Sequence, residues 1–165
     1  TNQVTYSDPS GSSDNYEDEH DYVDGMTATL TPASTSSRIH VHMLANFGMS
    51  SATTATGILE RKIGSGSWTS HDLGTTSYQS RGNSHGSRAR VTSRCAPSNH
   101  WHMDQMIISF IDTPSTTSAV SYRLIARGHE QNYILYLNRS GGSSDNSSGD
   151  SAVTISTVTL TELAS

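Results

Sequence analysis

The sequence predicts an all-β fold, a two-sheet antiparallel sandwich of jelly-roll type. Two stretches, 26–43 and 110–128, share one layout of strand, turn and strand. Short apolar runs recur along the chain, each bounded by Gly, Pro, Ser or Asn. The chain closes on residues 152–163, where apolar and polar residues nearly alternate, the period of a half-buried strand. No segment carries the 3.6-residue period of an amphipathic helix.

Strands are expected at 26–31, 38–47, 57–63, 87–95, 101–111, 120–127, 131–138 and 152–163. Short strands separated by turns suit a sandwich. Gly64-Ser-Gly-Ser67 makes one turn, and Arg127-Gly-His-Glu-Gln131 reads as a tight hairpin. In the run at 101–111, Met106, Ile107, Ile108, Phe110 and Ile111 are almost continuous. That density implies burial on both faces, one in the core and the other at a subunit interface. In the final run the apolar side switches near the middle, from Val153 and Ile155 to Val158 and Leu160, and a bulge is expected there.

A chain of 165 residues is expected to form one domain with a real core. Residues 1–21 read as a polar, acidic arm and 22–165 as the sandwich. Only 32% of residues are hydrophobic and 15% charged, with Ser, Thr, Gly and Asn filling the difference. Disordered chains usually carry a higher charge density, so the composition fits a β domain with long polar loops.

The net charge of −5 argues against a general nucleic-acid binder, whose affinity comes from neutralised phosphates. Arg81, Arg88, Arg90 and Arg94 cluster, but a nucleic-acid surface would interleave aromatics, and only Tyr78 is near. These arginines suit the acidic arm of another subunit better. Cys95 is the only cysteine, so no internal disulfide forms, and a buried, inert thiol is expected. No stretch is apolar enough to span a bilayer, and no secretory signal is read at Thr1. The expectation is assembly in a cytoplasm.

Candidate chemistry is sparse. His40/His42 and His100/His102 are His-x-His pairs, and on a strand residues i and i+2 share a face, so each pair could pinch a metal. The arrangement brings cupin metal enzymes to mind, but Asn46 and Phe47 stand where that motif wants a Glu. The expected role is to line a strand face or an intersubunit axis, with no cofactor. The acidic run from Asp14 to Asp24 fails the EF-hand spacing when counted back from Gly25. No nucleophile elbow and no phosphate-cradling loop is present.

Leu30-Thr-Pro-Ala-Ser-Thr-Ser-Ser-Arg-Ile39, Tyr122-Arg-Leu-Ile-Ala-Arg127, Leu137-Asn-Arg139 and Thr157-Val-Thr-Leu-Thr-Glu-Leu163 together resemble a β-sandwich module of tailed-phage virion proteins, over roughly residues 16–165. The resemblance implies a homotrimer packed round a threefold axis, like tumour-necrosis-factor jelly rolls. It implies a structural role in the particle rather than an enzyme. No coiled-coil heptads or shaft repeats accompany the module, which favours a capsid decoration or cement protein bound to the major capsid protein. The alternative is a tail or head fibre tip that binds host glycans, with Trp68 and Tyr78 stacking on sugar rings. The partner-binding residues are expected in the arm, at Tyr16, Glu17, Asp18, Glu19, Asp21 and Tyr22. Trp101, Met103, Met106 and Ile108 are expected in core or axis packing.

Overall fold

The computed structural model describes residues 3–5, 21–70, 80–82, 91–128, 134–141 and 153–163. They are all-β, without a helix. The strands are β1 (Gln3–Thr5), β2 (Asp21–Leu30), β3 (Arg38–Met49), β4 (Ala55–Ile63), β5 (Ser93–Cys95), β6 (Met103–Asp112), β7 (Val120–Gly128), β8 (Ile134–Leu137) and β9 (Thr157–Leu163). They form two antiparallel sheets. The first runs β1-β8-β3-β6, with β9 also paired to β3, and the second runs β2-β7-β4-β5.

β3 organises the first sheet. Its odd-numbered residues Ile39, Val41, Met43, Ala45, Phe47 and Met49 are fully buried and its other face points away from the core, the period of two that a pleated strand imposes. One edge of β3 pairs with β6 over its whole length. The other edge is shared: β9 pairs with Arg38–Leu44 and β8 with Phe47–Met49. Asn46 fills the gap between them. Its backbone N–H donates to Ser156 Oγ at 2.9 Å, its side-chain amide donates to the Ile155 carbonyl at 2.7 Å, and its own carbonyl accepts from Asn138 N–H at 2.9 Å.

Leu59, Leu124, Tyr122, Met106 and Ile108 meet the β3 side chains between the sheets. Gly57 of β4 lies against Met106 of β6, and a Cβ there would collide with the Met106 sulfur. At the end of the core, Asp112 is fully buried. Arg61 Nη1 donates to both of its carboxylate oxygens, at 2.9 and 2.8 Å. The Tyr122 hydroxyl donates at 2.7 Å and the Thr113 N–H at 2.8 Å. Burial, and then the charge of Asp112, pushes the Tyr122 phenol above its ordinary range, so it stays a donor.

Several expectations change. Inside the segment read as an arm, Gln3–Thr5 is a strand beside β8, and β2 begins at Asp21. Gly25, at a φ of 81°, sits where the β2–β7 register slips between Tyr22 and Thr27, a conformation that needs no Cβ. The expected 127–131 hairpin does not join neighbours, because β7 and β8 lie in different sheets; residues 129–133 fall outside the described residues. The expected strand at 87–95 is described only from residue 91, and β5 is short. In the final run, β9 pairs with β3 in one unbroken register, and residues 154–156 before it lie outside the ladder. Alternate residues from Val153 to Thr161 all face outward, so Val153 and Ile155 are left 81% and 78% exposed.

Removing one partner of a buried charge pair strands the other, which costs roughly 3–5 kcal/mol. Asp112→Ala should lose stability on that order in urea unfolding. Tyr122→Phe, which deletes one hydrogen bond to a charged group, should lose about 2 kcal/mol. An Asp112→Ala protein as stable as the parent would show that the Arg61–Asp112 pair does not hold the sheets.

Candidate assembly face

The outward side of the first sheet is a grid of directly opposed residues on three strands. Thr161, His40 and Ile111 form one row, Thr159, His42 and Ser109 the next, and Thr157, Leu44 and Ile107 a third. Asn46 and Gln105 continue it. Ile107 and Ile111 are 50% and 45% exposed, and Leu44 lies half-buried directly opposite Ile107. His40 Nε2 lies 2.9 Å from Ser109 Oγ, and the rings of His40 and His42 are 6.2 Å apart.

None of these rows carries a carboxylate, ammonium or guanidinium group; the charges that bound them are Arg38 at one end of the strand and, at the other, Arg139, whose guanidinium lies 3.9 Å over the ring of Tyr136 opposite Gly48. The polar side chains in them are hydroxyls, amides and the two imidazoles, and the hydroxyls and amides both donate and accept hydrogen bonds. The second sheet differs. Its outward rows hold Thr27, Arg123 and Glu60, then Thr29, Ser121 and Lys62. Arg123 Nε donates to Glu60 Oε2 at 2.6 Å. The Trp68 ring lies 4.3 Å from the Arg123 guanidinium and 5.0 Å from Lys62 Nζ. Trp68 therefore packs on the cations of its own sheet, and Tyr78, its expected partner for sugar stacking, is outside the described residues.

β9 forms one flank of the uncharged face, and Glu162 moors it. Its Oε1 accepts the Ala33 N–H at 2.7 Å. Hydrogen bonds from the Ser37 side chain and the Ala33 backbone hold the Glu162 carboxyl below its ordinary value of 4.5.

Of the expected site residues, Tyr16, Glu17, Asp18 and Glu19 lie outside the described residues. Asp21 opens β2 opposite Ala126, and Tyr22, opposite Ile125, is 61% exposed. Met106 and Ile108 are in the core. Met103 is half-buried at the start of β6, and Trp101 sits in the preceding turn with its ring 4.5 Å from that of His100. His100 and His102 are therefore not a same-face strand pair. His102 Nδ1 instead contacts Ser98 Oγ. Among the described residues, no three His, Cys, Asp or Glu side chains gather closely enough to hold a metal. In the arginine cluster, Arg81 is buried against Ser70 and Arg94 is exposed on β5; Arg88 and Arg90 are outside the described residues.

Cys95 is buried beside the core. Burial first, and the charge of Asp104 second, push its thiol up to about 12. Comparison with family models, with curated proteins and with solved structures finds no match to the chain.

The sequence reading expected an interface on the second side of the 101–111 run; in the structure that side of β6 is an exposed part of the outer face. The face also takes in alternate residues of β3 and β9. Their pairing to β6 is a long-range register that no local pattern reports.

Because the thiolate is the reactive form, Cys95 should resist a thiol reagent at neutral pH in the folded protein and react fully in denaturant. Equal rates in the two states would mean that the thiol is not enclosed. Glu162 gives a pH dependence of known sign. A carboxyl with a lowered folded pKa contributes stability in full above its ordinary value. That contribution is lost as the pH falls from there through the lowered range. The protection of the Ala33 amide, measured from its exchange rate relative to an unstructured amide at the same pH, should therefore fall on acidification through that range, and Glu162→Gln should remove this pH-dependent fall.

Proposed function

We propose that the chain is a structural subunit of a tailed-phage particle, a trimeric capsid decoration or cement protein that assembles in the host cytoplasm and resides on the virion surface. The observation that carries this reading is the uncharged, self-compatible outer face of the first sheet. Exposed isoleucines among groups that both donate and accept suit burial against another copy. A row of carboxylates or ammonium groups would repel its own copy.

Two further features support the reading. Chain order alternates between the sheets, as 1-8-3-6 and 2-7-4-5, and this interleaving is what we read as a jelly roll. The virion module that the sequence resembles is trimeric, which is the symmetry assigned to the face. Decoration works by mass action: a subunit that binds only the assembled shell stabilises it in proportion to its binding energy. The acidic segment containing Tyr16, Glu17, Asp18, Glu19, Asp21 and Tyr22 is assigned to the contact with the major capsid protein. Its carboxylates can meet guanidinium groups there.

The test has two parts. Leu44→Glu with Ile107→Glu places a carboxylate pair from each copy in the face. It should convert a trimer to a monomer by light scattering on size exclusion while circular dichroism stays unchanged. A parent protein that is already monomeric overturns the assembly reading. Cryo-electron microscopy of particles should then find the protein spread over the shell. A few copies confined to the tail or to head spikes would make it a fibre tip instead. For the acidic contact, Glu17, Asp18, Glu19 and Asp21 should be neutralised to amides rather than trimmed, because β1 lies upstream and pairs with β8. The amide variant should stay trimeric and lose docking.

A further inference from the structure

We infer that assembly through the outer face of the first sheet is gated by protons: copies join while His40 and His42 are neutral and part when these imidazoles take up protons. The inference rests on the self-assembly reading above and adds its control.

The face is uncharged only on a condition. His40 and His42 are the titratable side chains of its rows; the others are threonines, Ser109, Asn46, Gln105 and apolar groups. Histidine changes charge between about pH 5 and 8. A neutral imidazole both donates and accepts hydrogen bonds, whereas an imidazolium only donates. Protonation therefore turns two self-compatible groups on each copy into two like charges.

Their position makes that change count. β3 is the middle strand of the three that carry the rows, with β9 on one side and β6 on the other. Groups in the middle of a self-complementary face lie near the symmetry axis and meet their own copies. Both histidines are half-buried in a single copy, and closure over them removes the water that would solvate a charge.

No group on the face offsets the charge. Facing the imidazoles from β6 are Ile111 and Ser109, and from β9 Thr161 and Thr159. Asp112 of β6 is fully buried and paired with Arg61. Glu162 of β9 is moored to the Ala33 N–H. Asp104, near the start of β6, accepts the Ala96 N–H. Arg38, two residues before His40 in the alternation of β3, is itself a cation and adds to the repulsion.

The subunit itself tolerates the proton. His40 Nε2 lies 2.9 Å from Ser109 Oγ, and an imidazolium can donate to that hydroxyl. Acid thus acts on the contact between copies and not on the fold.

Sedimentation velocity of the full chain from about pH 8 to about pH 5 tests the gate. The parent should be trimeric at the upper end and monomeric at the lower, with unchanged circular dichroism, and should reassemble when the pH is restored. Each proton excluded from the contact weakens association about tenfold per pH unit, so the association constant should fall at least that steeply on the acid side. His40→Gln with His42→Gln supplies amides that donate and accept without titrating, and should stay trimeric at both ends. His42→Lys, which fixes a charge in the face, should be monomeric at both. His100→Gln with His102→Gln, just before β6, should dissociate as the parent does. A parent trimer equally stable at both ends overturns the gate and leaves the assembly standing. A parent that is monomeric at the upper end overturns both. Acid dissociation of the double amide variant in step with the parent, or a stable His42→Lys trimer, also overturns the gate.

Discussion

A single buried carboxylate holds the two sheets in their relation. Asp112 ends β6 in the first sheet, while Arg61 and Tyr122 lie on β4 and β7 in the second and pair directly with each other. A sandwich core is otherwise non-directional. Apolar burial favours close approach but tolerates sliding of one sheet over the other. A carboxylate that receives a guanidinium, a phenol and a backbone N–H has little such freedom, because any shift leaves buried donors without an acceptor. The pair also fixes the phase of β6, since a strand cannot slip by one residue without turning Asp112 out of the core and Ile111 into it. The same phase keeps Ile107 and Ile111 on the surface.

The outer face depends on a second polar device at the other end of the first sheet. β8 and β9 are both too short to cover β3, and they meet end to end along it. Asn46 satisfies the backbone groups left between them, with Ser156 donating in turn to Asn138 Oδ1 at 2.6 Å. This knot lets the chain run through 153–156 without a ladder of its own. It also keeps the alternation in step, so that Ile155 and the β9 threonines all emerge on one side. A bulge would have turned Ile155 inward and shrunk the apolar surface of the face.

How much of this was legible in the residues depends on the range of the interaction. β3, β6 and β7 were readable almost to their ends, because Ile39 to Met49 and Val120 to Gly128 alternate strongly and are bounded by turn residues. The placement of β7 and β8 in different sheets was not readable. Gly128-His-Glu looks like a hairpin turn locally, and only the core contacts of the flanking strands decide which sheet each joins. β1 was hidden by its acidic surroundings, since a three-residue strand offers too little periodicity to see. For the candidate face, the dense apolar run of β6 was read as burial on both sides, whereas the strand buries Met106 and Ile108 and leaves Ile107 and Ile111 exposed. The histidines of that side were expected to line a strand face or an intersubunit axis, and His40 and His42 do share a strand face. Their pairing with Ile111 and Ser109 required the register.

The distribution of charge is the strongest general argument for assembly. The chain has a net charge of −5 and 25 acidic and basic residues, enough to decorate both outer faces of a small sandwich. The second sheet uses them in the ordinary way, as the Glu60–Arg123 pair with Lys62 and Trp68 beside it. The first sheet keeps them off its central rows while leaving isoleucines exposed. Composition alone cannot produce that asymmetry, because both sheets draw on the same polar, Ser- and Thr-rich chain. A face destined only for water gains nothing from excluding charge, whereas a face that meets its own copy avoids like-charge contacts under every symmetry operation.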